Sequence, residues 1–82
     1  MTWRFDVVAT TQERLLSRIL QVFEVQRVSI LSFTGVMDGT RPRVTFTVSS
    51  QEDKAYRIEA LLYRLEGIDQ VSVSTIFEGP TK

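Results

Sequence analysis

The hydrophobic period of this chain alternates between two and 3.6, and the order of the changes leaves few folds open. From Trp3 to Thr10 the residues Trp3, Phe5, Val7 and Ala9 alternate with Arg4, Asp6, Val8 and Thr10, as on a strand with two unlike faces. At Leu16, Ile19, Leu20 and Phe23 the spacing becomes i, i+3, i+4, i+7, with Arg14, Ser17, Arg18, Gln21 and Glu24 between them. That pattern predicts an amphipathic helix over about 11–25, and Thr10 with Glu13 has the capping-box spacing that would start it. The segment 28–37 is β-branched and apolar on both alternating sets, with Val28, Ile30 and Val36 on one and Leu31, Phe33 and Met37 on the other. Asp38 to Pro42 is a dense turn cluster, after which Val44, Phe46 and Val48 alternate with Arg43, Thr45, Thr47 and Ser49, so a hairpin leads into a third strand. Ser49 or Ser50 caps a second helix through Glu52 or Asp53; its stripe is Ala55, Ile58, Leu61, Leu62 and Leu65, and Gly67 takes the C′ position after a helix over about 51–66. Ile68, Val71 and Val73 open a fourth strand that runs to about Ile76.

The order βαββαβ predicts an α+β protein of the ferredoxin-like kind: a four-stranded antiparallel sheet with two helices on one face. Right-handed crossovers place strands one and three centrally and strands two and four at the edges. The uncovered sheet face is expected to carry Arg4, Asp6 and Val8, Leu31 and Phe33, Arg43, Thr45 and Thr47, and Ser72 and Ser74. Most of these are polar, and strand two is the exception: an apolar edge that is an aggregation hazard unless paired or covered. Eighty-two residues predict one domain, 1–78, with 79–82 as a frayed tail. A chain of this size buries only roughly 60–65% of its extended surface, so a partner subunit covering apolar area is expected.

Composition narrows the chemistry. Ten Lys and Arg balance ten Asp and Glu, so the surface as a whole does not attract a polyanion. With no Cys and no His, thiolate nucleophiles, disulfides, Cys or His zinc sites and imidazole catalysis are excluded. The carboxylates Glu13, Glu24, Glu52, Asp53, Glu59, Glu66, Asp69 and Glu78 fall on predicted caps and solvent faces, where no buried pair forms for acid–base work. Arg14 with Arg18, and Arg57 with Arg64, are spaced to hold an acidic partner or a ligand carboxylate, or to pair with neighbouring Glu side chains. The RNA recognition motif shares the element order, but here Phe46 belongs to the inward set and Arg43, Thr45 and Thr47 stand where stacking aromatics would be needed. Gly35 and Gly39 flank a hairpin and precede no helix, so no phosphate-cradling loop is expected. No apolar run approaches the ~20 residues of a membrane span, and the first six residues lack the character of a signal peptide, which predicts a cytoplasmic location.

The stretch from Phe5 to Ser32 (FDVVATTQERLLSRILQVFEVQRVSILS) resembles the first half of an ACT domain, in particular that of the small regulatory subunit of acetolactate (acetohydroxyacid) synthase. Leu16, Ser17, Arg18, Ile19, Val22 and Phe23 fit that family's Leu-Ser-Arg-Val-x-x-Leu-Phe helix without a gap, and Ile30 fits its strand-two isoleucine. Ile58 to Val73 (IEALLYRLEGIDQVSV) resembles its second helix and final strand. The family usually carries a longer C-terminal domain, so the expected relatives are the short, single-domain small subunits of the valine-insensitive isozyme type. Valine-inhibited members hold the amino acid in an ACT dimer interface with an Asn and a Gly before helix one and a Gly and an Asn after it. Those positions are Thr11, Arg14, Arg27 and Ser29 here. Arginine at both glycine positions implies a degenerate effector site wherever the backbone must take φ > 0 or approach a ligand. A reshaped site is the alternative, in which Thr11 and Ser29 hydrogen-bond a ligand and Arg14 meets its carboxylate.

The resemblance implies a noncatalytic, activating subunit without a cofactor of its own, acting on a large catalytic subunit that carries thiamine diphosphate, Mg²⁺ and FAD. That large subunit is expected to be met by the open sheet face and strand two, with Leu31 and Phe33 as anchors. The likeness and the two-sided apolar strand two together also predict a homodimer through strand two, and Val28, Ile30, Leu31 and Phe33 are the expected interface residues. One rival is a stand-alone homodimeric ACT domain that binds an amino acid between protomers. Another is an assembly module whose dimer is its whole function, and a third is a small ferredoxin-like hydrolase, for which no nucleophile and base are visible.

Overall fold

The computed structural model describes residues 1–10 and 14–76. Strand β1 (Thr2–Ala9) leads to helix α1 (Leu15–Val25) and strand β2 (Ser29–Asp38); strand β3 (Arg41–Ser49) leads to helix α2 (Glu52–Tyr63) and strand β4 (Ile68–Thr75). The sheet order is β2-β3-β1-β4 and every pairing is antiparallel, with β1 and β3 central and β2 and β4 at the edges, as expected. The expected βαββαβ sandwich is therefore the observed architecture.

The core forms where the period-two face of the sheet meets the stripes of the helices. Trp3, Phe5, Val7 and Ala9 from β1, Phe46 and Val48 from β3 and Val71 from β4 are buried against Leu15, Ile19 and Phe23 of α1 and Ala55, Ile58 and Leu62 of α2. The rings of Phe5 and Phe23 meet edge to face at 5.3 Å, and Phe23 packs on Phe46 at 4.8 Å, geometries that aromatic quadrupoles favour. Trp3 is buried without an orphaned donor, because its Nε1–H donates to the Ser50 carbonyl at 3.1 Å. On the opposite face the sheet is largely polar. Thr45 donates to Asp6 at 2.6 Å and Arg4 pairs with Asp6 at 3.1 Å.

The local signals read from sequence differ from the structure at the helix ends. Helix α1 begins only at Leu15, its N-cap is Arg14 in the left-handed region at φ 69°, and no side chain caps it. Thr10 does not supply the expected capping box: its hydroxyl donates to the Gly67 carbonyl at 3.2 Å, tying the end of β1 to the turn before β4. Glu13, the other half of that box, and the tail at 79–82 lie outside the described residues. The N-cap of α2 is Gln51, with extended backbone and no side-chain cap, in place of Ser49 or Ser50; Ser49 is still in β3 and the Ser50 hydroxyl donates to the Gln51 carbonyl. Helix α2 ends at Tyr63, three residues before the expected terminus, so Gly67 at φ 96° serves the turn into β4 and not the helix cap. The hairpin is tighter than the Asp38–Pro42 cluster suggests: Asp38 pairs with Arg41, leaving a two-residue loop in which Gly39 takes φ 68°. Pro42 fits β3 because the pairing of β3 with β1 starts only at Arg43, where its missing N–H costs no ladder bond.

Candidate functional site

The expected contact strand, β2, is the outer strand of the sheet, and its residues arrive there by a route the simple alternation does not predict. Ile30 pairs with Val48, which faces the helices, but the register then slips, so that Ser32 pairs with Thr47 and Phe33 with Phe46. Leu31 is the extra residue of this bulge, and it is exposed. Beyond the bulge every face is exchanged relative to strict alternation. Phe33 and Met37 share the helix side with Phe46 and Pro42, whereas Val36 shares the open face with Arg43. The assignment of Phe33 to the open face is thus overturned: its ring stacks on Phe46 at 5.7 Å with the planes 21° apart. The slip has a clear cause, since it directs Ser32 and Thr34 to the polar face and Phe33 to the aromatic cluster.

Phe5, Phe23, Phe46 and Phe33 form a continuous ring contact from the core to the sheet edge, and the last of them remains 50% exposed because no strand lies beyond β2. Met37 is 63% exposed, and Leu16, from the first turn of α1, adds to the same apolar margin. Two shallow hollows lie along it. One of about 190 Å³ is bounded by Ala9, Leu15, Leu16, Ile19, Pro42 and Val44, and one of about 230 Å³ shares Pro42 and Val44 and adds Gly35 and Met37. Gly35 leaves the second hollow open: opposite Val44 it presents no side chain, and a Cβ there would meet nothing within 4 Å. Of the expected contact residues, Val28 and Ile30 are partly buried against the core, and Leu31 and Phe33 are the exposed pair.

The candidate effector positions separate within one protomer. Arg14 caps the start of α1 and Arg27 follows its end, so an 11-residue helix of about 16 Å stands between them. Ser29 opens β2, opposite Ser49, and is exposed; Thr11 lies outside the described residues. The most informative finding is in the backbone. Arg14 at φ 69° and Arg27 at φ 59° are the non-glycine residues with positive φ among the described residues. The left-handed geometry at both positions is kept although neither is glycine. Arg27 completes a helix-ending motif in which its own N–H donates to the Glu24 carbonyl at 3.0 Å and that of Val28 to the Phe23 carbonyl at 3.4 Å.

No protein-family model and no curated sequence matches the chain. Solved structures do. The ACT domain of a GTP pyrophosphokinase from Chlorobium tepidum superposes with a TM-score of 0.78 at 12% identity, covering 90% of this chain and 97% of that one. This is the ACT-domain fold. The acetolactate synthase small subunit from Thermotoga maritima superposes with a TM-score of 0.79 at 15% identity over 89% of this chain, which spans 47% of that subunit. The C-terminal domain of MgtC from Mycobacterium tuberculosis gives 0.76 at 13% identity over 99% of this chain and 93% of that domain. ACT folds thus stand in chains of very different function, and the fold does not choose among them. Among the described residues there is no cluster of His, Cys, Asp and Glu that could hold a metal ion, and no helix is long and apolar enough to cross a membrane.

Proposed function

We propose that this chain is a noncatalytic regulatory ACT subunit that dimerises through β2 and activates an acetolactate synthase large subunit. The thiamine diphosphate, Mg²⁺ and FAD of the reaction would belong to that partner. The observation that carries the reading is the apolar margin at the free edge of β2, where Phe33, Met37 and Leu16 stand exposed beside unpaired strand backbone. The small-subunit pattern at Leu16, Ser17, Arg18, Ile19, Val22 and Phe23 and the likeness to the Thermotoga maritima small subunit support the choice of enzyme. The chain would act by binding the active conformation of the large subunit more tightly than the inactive one, since only differential affinity shifts such an equilibrium. In the test, the chain is added to a separated large subunit and acetolactate formation from pyruvate is followed with and without valine. Activity that rises with added chain and ignores valine is expected; no change in activity together with no complex on gel filtration would remove this reading.

A second reading, a stand-alone ACT dimer with a reshaped effector site, is favoured by the positive φ at Arg14 and Arg27. The loops keep a ligand-compatible backbone while their side chains supply charge for a carboxylate. Calorimetry against the twenty amino acids separates the two, with a saturable heat for one of them supporting the second.

A further inference from the structure

The outer surface of the helical layer carries a feature that neither dimerisation nor the effector loops use. Between α1 and α2 runs a groove of about 250 Å³ bounded by Arg18, Gln21, Val22, Val25, Leu61 and Leu65. Its floor is aliphatic, and Val25 is 66% exposed. Most of the charges beside it are cationic, the exception on this side of α2 being Asp53 in its first turn. On α2, Lys54 and Arg57 lie within about 60° of Leu61 around the helix axis and Arg64 is its C-cap on the same side, whereas Glu52 and Glu59, seven residues apart, lie on the opposite flank. That opposite flank faces β4, because Tyr63, four residues after Glu59, donates its hydroxyl to the Val71 carbonyl at 3.0 Å. On α1, Arg18 is at the groove, and Glu24 lies outside the stripe of Arg18, Gln21, Val22 and Val25. Among the described residues the carboxylates of Asp6 and Asp69 pair with Arg4 and Arg41, while Arg18, Arg57 and Arg64 form no ion pair. In a chain with no net charge the apolar groove is thus flanked mainly by cations, and Arg18, Arg57 and Arg64 pair with no carboxylate among the described residues.

We infer that this groove docks an acidic amphipathic helix of a partner protein, with apolar residues at i, i+3, i+4 and i+7 seated on Val22, Val25, Leu61 and Leu65 and carboxylates meeting Arg18, Arg57 and Arg64. The concave floor between two helices suits a third helix of about three turns, the length of α1, better than a flat lipid surface. The basic rim selects acidic segments and repels basic ones. The inference is independent of the acetolactate synthase reading, since it needs neither that enzyme nor an effector.

The test uses the whole chain, ¹⁵N-labelled, titrated with a 14-residue peptide that places Leu at i, i+3, i+4, i+7 and Glu elsewhere. A scrambled peptide of the same composition and phosphatidylglycerol–phosphatidylcholine vesicles serve as comparisons. The patterned peptide is expected to shift the amides of Arg18, Gln21, Val22, Val25, Arg57, Leu61, Arg64 and Leu65, and the scrambled one to leave them in place. The double variant Arg57→Glu, Arg64→Glu, whose fold is checked by circular dichroism, should weaken binding about tenfold or more, and wild-type binding should weaken as salt screens the rim. No shifts, shifts elsewhere, equal binding of the scrambled peptide, or undiminished binding by the double variant would overturn the inference. Shifts of the same amides by the vesicles but not by the peptide would overturn it in favour of a membrane surface.

Discussion

The left-handed arginine at the end of α1 gives the sharpest test of how this backbone is held. Arg27 sits at φ 59° and closes the helix through its N–H to Glu24 and that of Val28 to Phe23. A residue with a Cβ pays roughly 1–2 kcal/mol to adopt that region, and glycine does not. Glycine in turn costs about 0.5–1 kcal/mol through its greater freedom in the unfolded chain. The net difference between Arg27→Gly and Arg27→Ala is therefore about 0.5–1 kcal/mol in favour of glycine. Both variants lose the same favourable interaction of the arginine charge with the helix C-terminus, a few tenths of a kcal/mol that salt screens, so their comparison isolates the conformational effect. For a domain of this size the difference corresponds to about 2–8 °C in Tm. Thermal melts by circular dichroism at fixed protein concentration, with urea unfolding to confirm an unchanged m-value, measure it. If the alanine variant matches or exceeds the glycine variant with equal m-values, the chain does not hold position 27 in the left-handed region and the reasoning fails.

Three further outcomes follow from the packing. The exposed half of Phe33 offers roughly 100 Å² to a second copy, about 2.5 kcal/mol per copy at 25 cal/mol per Å², so Phe33→Asp should shift sedimentation from dimer to monomer; an unchanged mass distribution would dismiss Phe33 as an interface anchor. Deleting Leu31 should be tolerated, with a cooperative melt and Phe33 still on Phe46, because the deletion removes the extra residue of the bulge and leaves Ile30, Ser32 and Phe33 in strict alternation; loss of the folded state would refute the bulge. Tyr63→Phe should cost about 1 kcal/mol in urea unfolding, since the Tyr63 hydroxyl both donates to the Val71 carbonyl and accepts from the Val71 N–H at 3.4 Å, and a change near zero would show those bonds to be replaced by water.

How far the sequence could be read is explained by where its signals are local. Period two in Trp3, Phe5 and Val7 and period 3.6 in Ile19 and Phe23 each reflect burial on one face, and they place all six elements and most of the core, except that Leu15 is buried where the spacing predicts Leu16, and Leu16 is exposed. The bulge at Leu31 escaped because a slip by one residue is invisible to a rule that assumes strict alternation. The signal was present in the polar Ser32 and Thr34, which belong on the open face only if Ile30 and Phe33, three apart, both face the helices. The caps failed for another reason. Thr10 and Ser50 have the right chemistry, but their hydroxyls are engaged by the Gly67 and Gln51 carbonyls, and tertiary contacts outweigh a local preference worth about 1 kcal/mol. Arginine at positions 14 and 27 reads as the loss of left-handed geometry, yet the helix-ending hydrogen bonds keep it at Arg27.

The same energetics rank the surfaces on which a partner can settle. On the open sheet face Asp6 already accepts from Thr45 and pairs with Arg4, so covering that face removes satisfied polar groups from water and gains little apolar area. At the edge of β2 the balance is reversed, because strand backbone without a neighbour and the exposed Phe33 and Met37 gain hydrogen bonds and buried area in a single contact. A two-fold axis beside β2 would pair identical strands in antiparallel register and satisfy both copies at once, joining the two sheets into one of eight strands. Such a dimer consumes the edge and leaves the interhelical groove of each copy free. A larger protein that binds the dimer therefore meets two basic grooves, and two weak contacts on one dimer bind with the gain of an intramolecular second step.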